Sequence, residues 1–202
     1  MGIQERRERE KEELRRKIIH AASRLISSVG HENLTIRRLA REIEYSPRTI
    51  YLYFRDKEHL LQEVVEEGFR RTLEIRRQEE PDPSASPEAI LRRRLRTHID
   101  SALSDGNFYR AVVTLLFEKN FEPGPAQREI MARTREEIAA LLPPQARDES
   151  KTAAYAMIIF STIRGFTLSL LDLAEKMSAQ QVEDLIEHYI AFVQRGVHGG
   201  IR

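Results

Sequence analysis

Apolar positions recur at intervals of three and four residues along most of this chain, and strand-like alternation is nowhere sustained. Ile36, Leu39, Ala40 and Ile43 stand at i, i+3, i+4 and i+7, one face of a helix of about two turns. Thr35 precedes them as an N-cap. After a break at Glu44 and Tyr45, Ser46 supplies a second cap. Pro47 follows at the first helical position, where a missing N–H costs nothing. In that second short helix Ile50 and Phe54 point inward. Pro47, Arg48, Thr49, Tyr51, Leu52 and Tyr53 are left for the outside or the rim. Asp56 caps a third start, and Leu60, Leu61, Val64 and Val65 resume the stripe. Upstream, Leu14, Ile18, Ala22, Leu25 and Val29 form a helix that stops at Gly30, a residue suited to a left-handed helix end. Two short helices joined by a tight turn, with a third packed across them, predict a helix-turn-helix head.

The pattern continues without a flexible linker. The helix from Asp56 runs through Phe69 and Leu73 to about Gln78, and the run PDPSASP at 81–87 breaks it. Ser86 and Pro87 open a helix striped by Leu91, Leu95, Ile99, Ala102 and Leu103, with Arg92, Arg93, Arg94 and Arg96 expected on a solvated face. Asn107 is the expected cap of a bulky helix that ends at EPGP (122–125). Ile130, Met131, Ile138 and Leu141 mark another, stopped by Pro143 and Pro144. The segment Ala153 to Leu173 is long and apolar enough to raise the question of a membrane span. Arg164 and Asp172 inside it point instead to a core helix covered on more than one side. Ser178 and Gln181 form a capping box for the last helix, whose stripe is Val182, Leu185, Ile186, Tyr189, Ile190, Val193 and Val197. The fold class is therefore all-α.

Charge separates the chain where the pattern does. Residues 1–57 carry 14 Lys and Arg against 9 Asp and Glu, whereas 58–202 carry 19 against 23. A mildly basic head on an acidic body fits a nucleic-acid reader joined to a second module. Residues 3–13 mix both signs and read as a solvated helical extension. There is no cysteine, so disulfides and cysteine metal sites are excluded. The charged N-terminus lacks a signal-peptide core, and a cytoplasmic protein is expected. No HExxH, GxSxG or Gly-rich phosphate loop is present. His98 and His188 have no assigned carboxylate partner. No catalytic residue, metal site or cofactor is expected.

The run Leu25–Leu61 resembles the DNA-binding segment of the TetR family of bacterial transcription regulators. The resemblance rests on Gly30, Leu34-Thr35-Ile36, Leu39-Ala40, Ile43, Ser46, Thr49-Ile50-Tyr51, Tyr53-Phe54, Lys57 and Leu60-Leu61. Two positions depart from the pattern: Glu44 stands where the family often has glycine, and Tyr45 where it often has a small aliphatic residue. Carried over by position, Thr35, Ser46, Pro47, Arg48, Thr49, Tyr51, Tyr53 and Lys57 would form the DNA surface. Arg48 and Thr49 suit base edges; Tyr51, Tyr53 and Lys57 suit phosphates. The resemblance implies a DNA-binding domain at 1–57 and a helical effector-binding and dimerisation domain at 58–202. It also implies a homodimer, on a palindromic double-stranded operator, whose last two long helices pack against their copies. Ala154, Ser161, Gly165, Val182, Ile186, Tyr189 and Val193 are the expected interface residues.

Bulky residues in the body suggest a cavity for a small hydrophobic or aromatic effector, an acid among the candidates. Phe108, Tyr109, Phe117, Met131, Tyr155, Ile159, Thr162, Arg164 and Phe166 are the expected lining. Arg164 demands an anion, for which Glu118, Asp172, an acid of a second subunit and a ligand carboxylate are candidates. The reading is a DNA-binding regulator, a repressor released by its effector, and not an enzyme. Its alternatives are a regulator without a small ligand and a helical enzyme or carrier with an incidental head.

Overall fold

The computed structural model describes residues 2–78, 84–117, 121–142 and 147–199. Among them are nine α-helices and no strand. They are α1 (Ile3–Val29), α2 (Ile36–Glu42), α3 (Pro47–Tyr51), α4 (Lys57–Gln78), α5 (Pro87–Ser104), α6 (Gly106–Leu116), α7 (Pro125–Leu141), α8 (Glu149–Leu173) and α9 (Ala179–Gly199). A single 3-10 turn, Ala174–Lys176, follows α8. The chain forms two compact units, one of residues up to Thr72 with Asn107–Gln127, the other of Leu73–Gly106 with Arg128 onward.

The caps set the first unit's elements. Thr35 Oγ1 accepts from Arg38 N at 3.1 Å, Ser46 Oγ from Thr49 N at 3.1 Å, and Asp56 Oδ1 from His59 N at 2.7 Å. Each cap satisfies an N–H that the helix itself cannot pair. Ile18, Ile26, Leu34, Leu39, Ile50, Phe54 and Leu60 are fully buried in one apolar cluster, which ties α1, α2, α3 and α4 together. Burying each such side chain is worth about 1.5–3 kcal/mol. Ala111 and Leu115 of α6 join the same cluster, so this unit by packing is larger than the 1–57 segment. Asn107 does not cap α6, which begins one residue earlier. Its Nδ2 donates to Ser27 O at 2.7 Å near the end of α1. Glu66, buried on α4, accepts from Ala126 N at 2.6 Å and from Gln127 N at 3.4 Å, and so caps the start of α7.

In the second unit α5, α8 and α9 pack on one another. Leu95, Ile99, Ile163, Leu170, Ile186, Ile190 and Val193 share its core. Arg92 pairs with Glu187, and Arg96 with Glu183 and Asp100, which lace α5 to α9. Arg94, expected on a solvated face with its neighbours, instead turns inward to Glu137.

Helix α8 begins at Glu149, capped by Asp148, four residues before the expected start. With its 3-10 turn it is long and apolar enough to cross a membrane by length and composition alone. Its buried positions, Ala156, Ile159, Ile163, Thr167 and Leu170, recur every three or four residues and form one packed face. The cover on further sides that its composition suggests does not come from this chain's described residues. Met157 is 72% exposed and Ile158 57%.

Of the expected interface residues, Ile186 and Val193 are buried in this unit's own core. Val182 and Tyr189 also pack against that core, partly buried, while Ala154, Ser161 and Gly165 are exposed. On α9 the bare apolar side chain is Phe192, 63% exposed. The α9 stripe fits its own chain because α5 and α8 already supply the apolar surface it needs.

Candidate nucleic-acid interface

Helix α3 has five residues, and Ile50 is the one it buries. Ile50 and Phe54 clamp it onto α2 and α4, which leaves Pro47, Arg48, Tyr51 and Leu52 exposed. Arg48 presents a guanidinium fork on a helix whose position the core fixes. A guanidinium fork is able to make a bidentate contact to guanine. Tyr51, 54% exposed, offers a hydroxyl for a phosphate oxygen.

The other expected contacts divide. Thr35 and Ser46 spend one acceptor each on their caps and stay exposed. The Thr49 hydroxyl, half-buried, lies 2.9 Å from Ser46 Oγ, so the two act as a pair. Tyr53 is half-buried against the core cluster. Lys57 Nζ donates to His31 O at 3.3 Å, which ties the start of α4 to the loop before α2. The sequence reading passed over Arg37, Arg38 and Arg41. They occupy the face of α2 opposite its buried residues, and all three are exposed. Their signal was present in the stripe itself: the positions between Ile36, Leu39 and Ala40 are cationic.

The turn between α2 and α3 follows from its sequence. Glu44 has φ +61°, the one positive φ outside glycine among the described residues. A left-handed non-glycine residue costs roughly 1–2 kcal/mol. Tyr45 N donates to Ala40 O at 2.9 Å, and the Tyr45 ring lies 5.2 Å from Lys17 Nζ. Tyr45 thus replaces a small aliphatic residue by packing outward against a cation of α1.

The expected effector residues fall in both units. Phe108, Tyr109 and Phe117 belong to the first; Met131, Tyr155, Ile159, Thr162, Arg164 and Phe166 belong to the second. Phe108 packs into the first cluster, close to Gly68, whereas Phe117 is 71% exposed. In the second unit Phe166 stacks on Tyr189, with ring centroids 4.0 Å apart, and the Tyr189 hydroxyl donates to Thr162 at 3.3 Å. Ile159 is buried beside Tyr155 and Phe166 in the second cluster. Arg164 is half-buried and its Nε donates to Phe160 O at 3.0 Å. Glu118, one candidate for its anion, lies outside the described residues.

The same unit holds a cluster that sequence spacing did not reveal. Arg94 Nε donates to Glu137 Oε1 at 2.9 Å. Arg76 Nη1 donates to Thr134 Oγ1 at 3.0 Å and lies 4.0 Å from Glu137 Oε2. Both arginine side chains are 12% exposed. Burial pulls Arg76 below its ordinary pKa; Glu137 opposes this, and the charges of Arg94 and Arg133 add to it. Burial lowers His98 to about 4, assisted by the charges of Arg76 and Arg164, so His98 is neutral at pH 7. These groups come from helices far apart in sequence, which is why no local motif marks them.

Residues 18–64 match the model of bacterial regulatory proteins of the tetR family. Solved structures resemble the whole fold. A TetR variant from Acinetobacter baumannii AYE in complex with minocycline is 16% identical, with a TM-score of 0.68, covering 92% of this chain and 96% of its own. The transcriptional regulator FadR from Bacillus subtilis in complex with stearoyl-CoA is 21% identical, with a TM-score of 0.65, covering 92% and 98%. BioQ with its natural double-stranded DNA operator is 20% identical, with a TM-score of 0.62, covering 88% and 98%.

Proposed function

We infer that this chain, a TetR-family protein by its N-terminal domain and its fold, is a cytoplasmic transcription regulator that represses as a homodimer. It is not an enzyme. The observation that carries the reading is Arg48, exposed on a short helix that Ile50 and the Ser46 cap hold in place. A domain of residues 1–57 reads the operator through α3, with Arg48 and Thr49 on bases. Thr35, Ser46, Pro47, Tyr51, Tyr53 and Lys57 hold the backbone, and the exposed arginines of α2 add phosphate contacts. One head with so few contacts binds weakly, so two heads act on half-sites about 34–36 Å apart or at a multiple of that distance.

The exposed apolar face of α8 supports dimerisation, with Ala154, Ser161 and Gly165 as its small residues and Met157 and Ile158 as its bulky ones. Phe192 extends that bare surface onto α9. The body, residues 58–202, takes a small, largely apolar effector that releases the operator. Relatives in complex with minocycline and stearoyl-CoA favour this reading over a body without a ligand. An effector shifts the heads only by its differential affinity for the two states.

The test is operator binding by the full chain, its sites found by selection from random duplexes. Arg48→Ala is expected to lose about 1–3 kcal/mol per half-site and to relax base preference there. Intact discrimination in that variant would overturn the assignment of the reading face. Ile158→Glu is expected to sediment as a monomer and to bind the two-half-site operator poorly. A dimeric Ile158→Glu places the interface elsewhere.

A further inference from the structure

In the second unit two little-exposed arginines meet on a single carboxylate. Arg94 and Arg76 share the carboxylate of Glu137, while Arg133 pairs with Glu129. Arg94 Nη1 is sealed from solvent with no hydrogen-bond partner. A buried N–H of a charged group without an acceptor is among the costlier defects a core can hold. On α8, Thr167 is 0% exposed and its hydroxyl also lacks a partner. It stands three residues after Arg164, a cation whose field reaches His98 alongside that of Arg76. Leu91 and Leu95, on the same helix as Arg94, and Ile163, on that of Thr167, belong to the buried apolar cluster of this unit. An anionic group with a hydrocarbon body matches the unpaired guanidinium N–H of Arg94 in a largely apolar core. A carboxylate accepts two N–H bonds from a guanidinium fork, and its apolar remainder suits the core.

We propose that Arg94, with Arg76 beside it, is the anion-recognition element of the body and that the effector is a small apolar carboxylic acid. This deepens the effector reading above and rests on it. Glu137 then acts as the resident counter-ion that keeps the arginines in place until an acid arrives. Recognition should depend on the fork of Arg94, and a neutral analogue of equal size should bind far less well.

The experiment is thermal denaturation of the full chain, without DNA, in millimolar octanoate, benzoate, the matching alcohols and inorganic phosphate. At least one acid is expected to raise the melting temperature by 2 °C or more, with no shift from its alcohol. Arg94→Met, checked by circular dichroism for native helicity, is expected to lose that shift. Glu137→Gln, which removes the competing carboxylate, is expected to bind the acid more tightly. Should Arg94→Met fail to fold, Arg94→Lys, which keeps the charge but not the fork, takes its place and is expected to lose most of the acid shift. Equal shifts from acid and alcohol, or an unchanged shift in folded Arg94→Met, overturn the proposal. A phosphate shift equal to that of the acids overturns the apolar-acid assignment. Operator binding with the acid present separates the two readings: acid that binds through Arg94 but leaves operator affinity unchanged supports this site and removes its effector role.

Discussion

Phe54 in the first unit and Thr167 in the second are both closed to solvent, at 1% and 0% exposure. Phe54 has its surroundings made for it: Arg15 lies 5.5 Å from its ring centroid, His59 meets it edge-on, and it belongs to the buried apolar cluster of its unit. Thr167 has a hydroxyl with nothing to bond. The contrast extends through both cores. Glu66, the buried carboxylate among the described residues of the first unit, receives two backbone N–H groups and completes a helix start. In the second unit Arg94 is short of an acceptor, and Arg76 is pulled down by burial and by like charges. Gln127 Oε1, at the last residue of the first unit, is the comparable loose end there. Under the proposed function, a head that holds Arg48 rigidly gains from a core its own chain completes, and a body that responds to an effector gains from one that is incomplete.

The largest effects should break or sharpen that contrast. Phe54→Ala is expected to cost about 3–5 kcal/mol, since a fully buried aromatic leaves both lost burial and a cavity. Glu137→Gln should cost about as much, because it strips two buried guanidiniums of their shared anion. Arg94→Met should cost less than about 1 kcal/mol: Arg76 stays near Glu137, and an unsatisfied N–H disappears. Denaturant unfolding of the three variants ranks them. An Arg94→Met loss as large as that of Glu137→Gln would mean that the body core is as self-sufficient as the head core.

His98 gives the next effect, with a pH signature. Its folded pKa of about 4 lies below the ordinary 6.5. The unfolded chain therefore takes up a proton that the folded one refuses. Stability from this group is complete above pH 6.5 and is lost as the pH falls toward 4, by at most about 3 kcal/mol. His98→Gln should flatten the stability curve over that window relative to the wild type. Parallel curves would show that His98 is solvated in the folded state.

These two cores were unequally legible in the sequence. The head announced itself because its information is local. Thr35, Ser46 and Asp56 sit next to the N–H groups they cap, and Ile36, Leu39, Ala40 and Ile43 lie within two turns. The body's helices were also readable, since periodicity and capping boxes such as Ser178 with Gln181 are local too. Its charge cluster was not. Arg76, Arg94 and Glu137 come from three helices, and only packing decides that Arg94 turns inward while Arg92 pairs at the surface. The α9 stripe shows the same limit, since Ile186, Ile190 and Val193 are buried within their own chain. An apolar stripe says that a face is covered, but not whether the cover belongs to its own chain.

A smaller effect probes the one place where the first unit closes on a carboxylate. A Cβ added at Gly124 would fall 2.0 Å from Glu66 Oε2, so any larger residue must push the capping carboxylate from the start of α7. Gly124→Ala is expected to cost about 1–3 kcal/mol, the usual range for overpacking. Glu66→Gln, which keeps an acceptor, should lose less. If both variants match the wild type in denaturant, this cap contributes nothing to the head's closed core.

The smallest predicted effect runs in the stabilising direction and lies in the turn that sets α3. Glu44 sits at φ +61° without being glycine, and it is exposed, so no burial offsets the strain. Glu44→Gly removes a penalty of roughly 1–2 kcal/mol. It also loosens the unfolded chain, which returns about 0.4–1 kcal/mol of that gain. The net expectation is a stabilisation of about 0.5–1 kcal/mol in denaturant unfolding. Glu44→Asn, which tolerates the left-handed region better than Glu, should gain a few tenths. Operator affinity should stay level in both variants if the turn serves only to aim Arg48. A stability gain accompanied by weaker operator binding would show that the Glu44 backbone strain holds α3 in its reading position, and the head would then be a strained element and not merely a well-packed one.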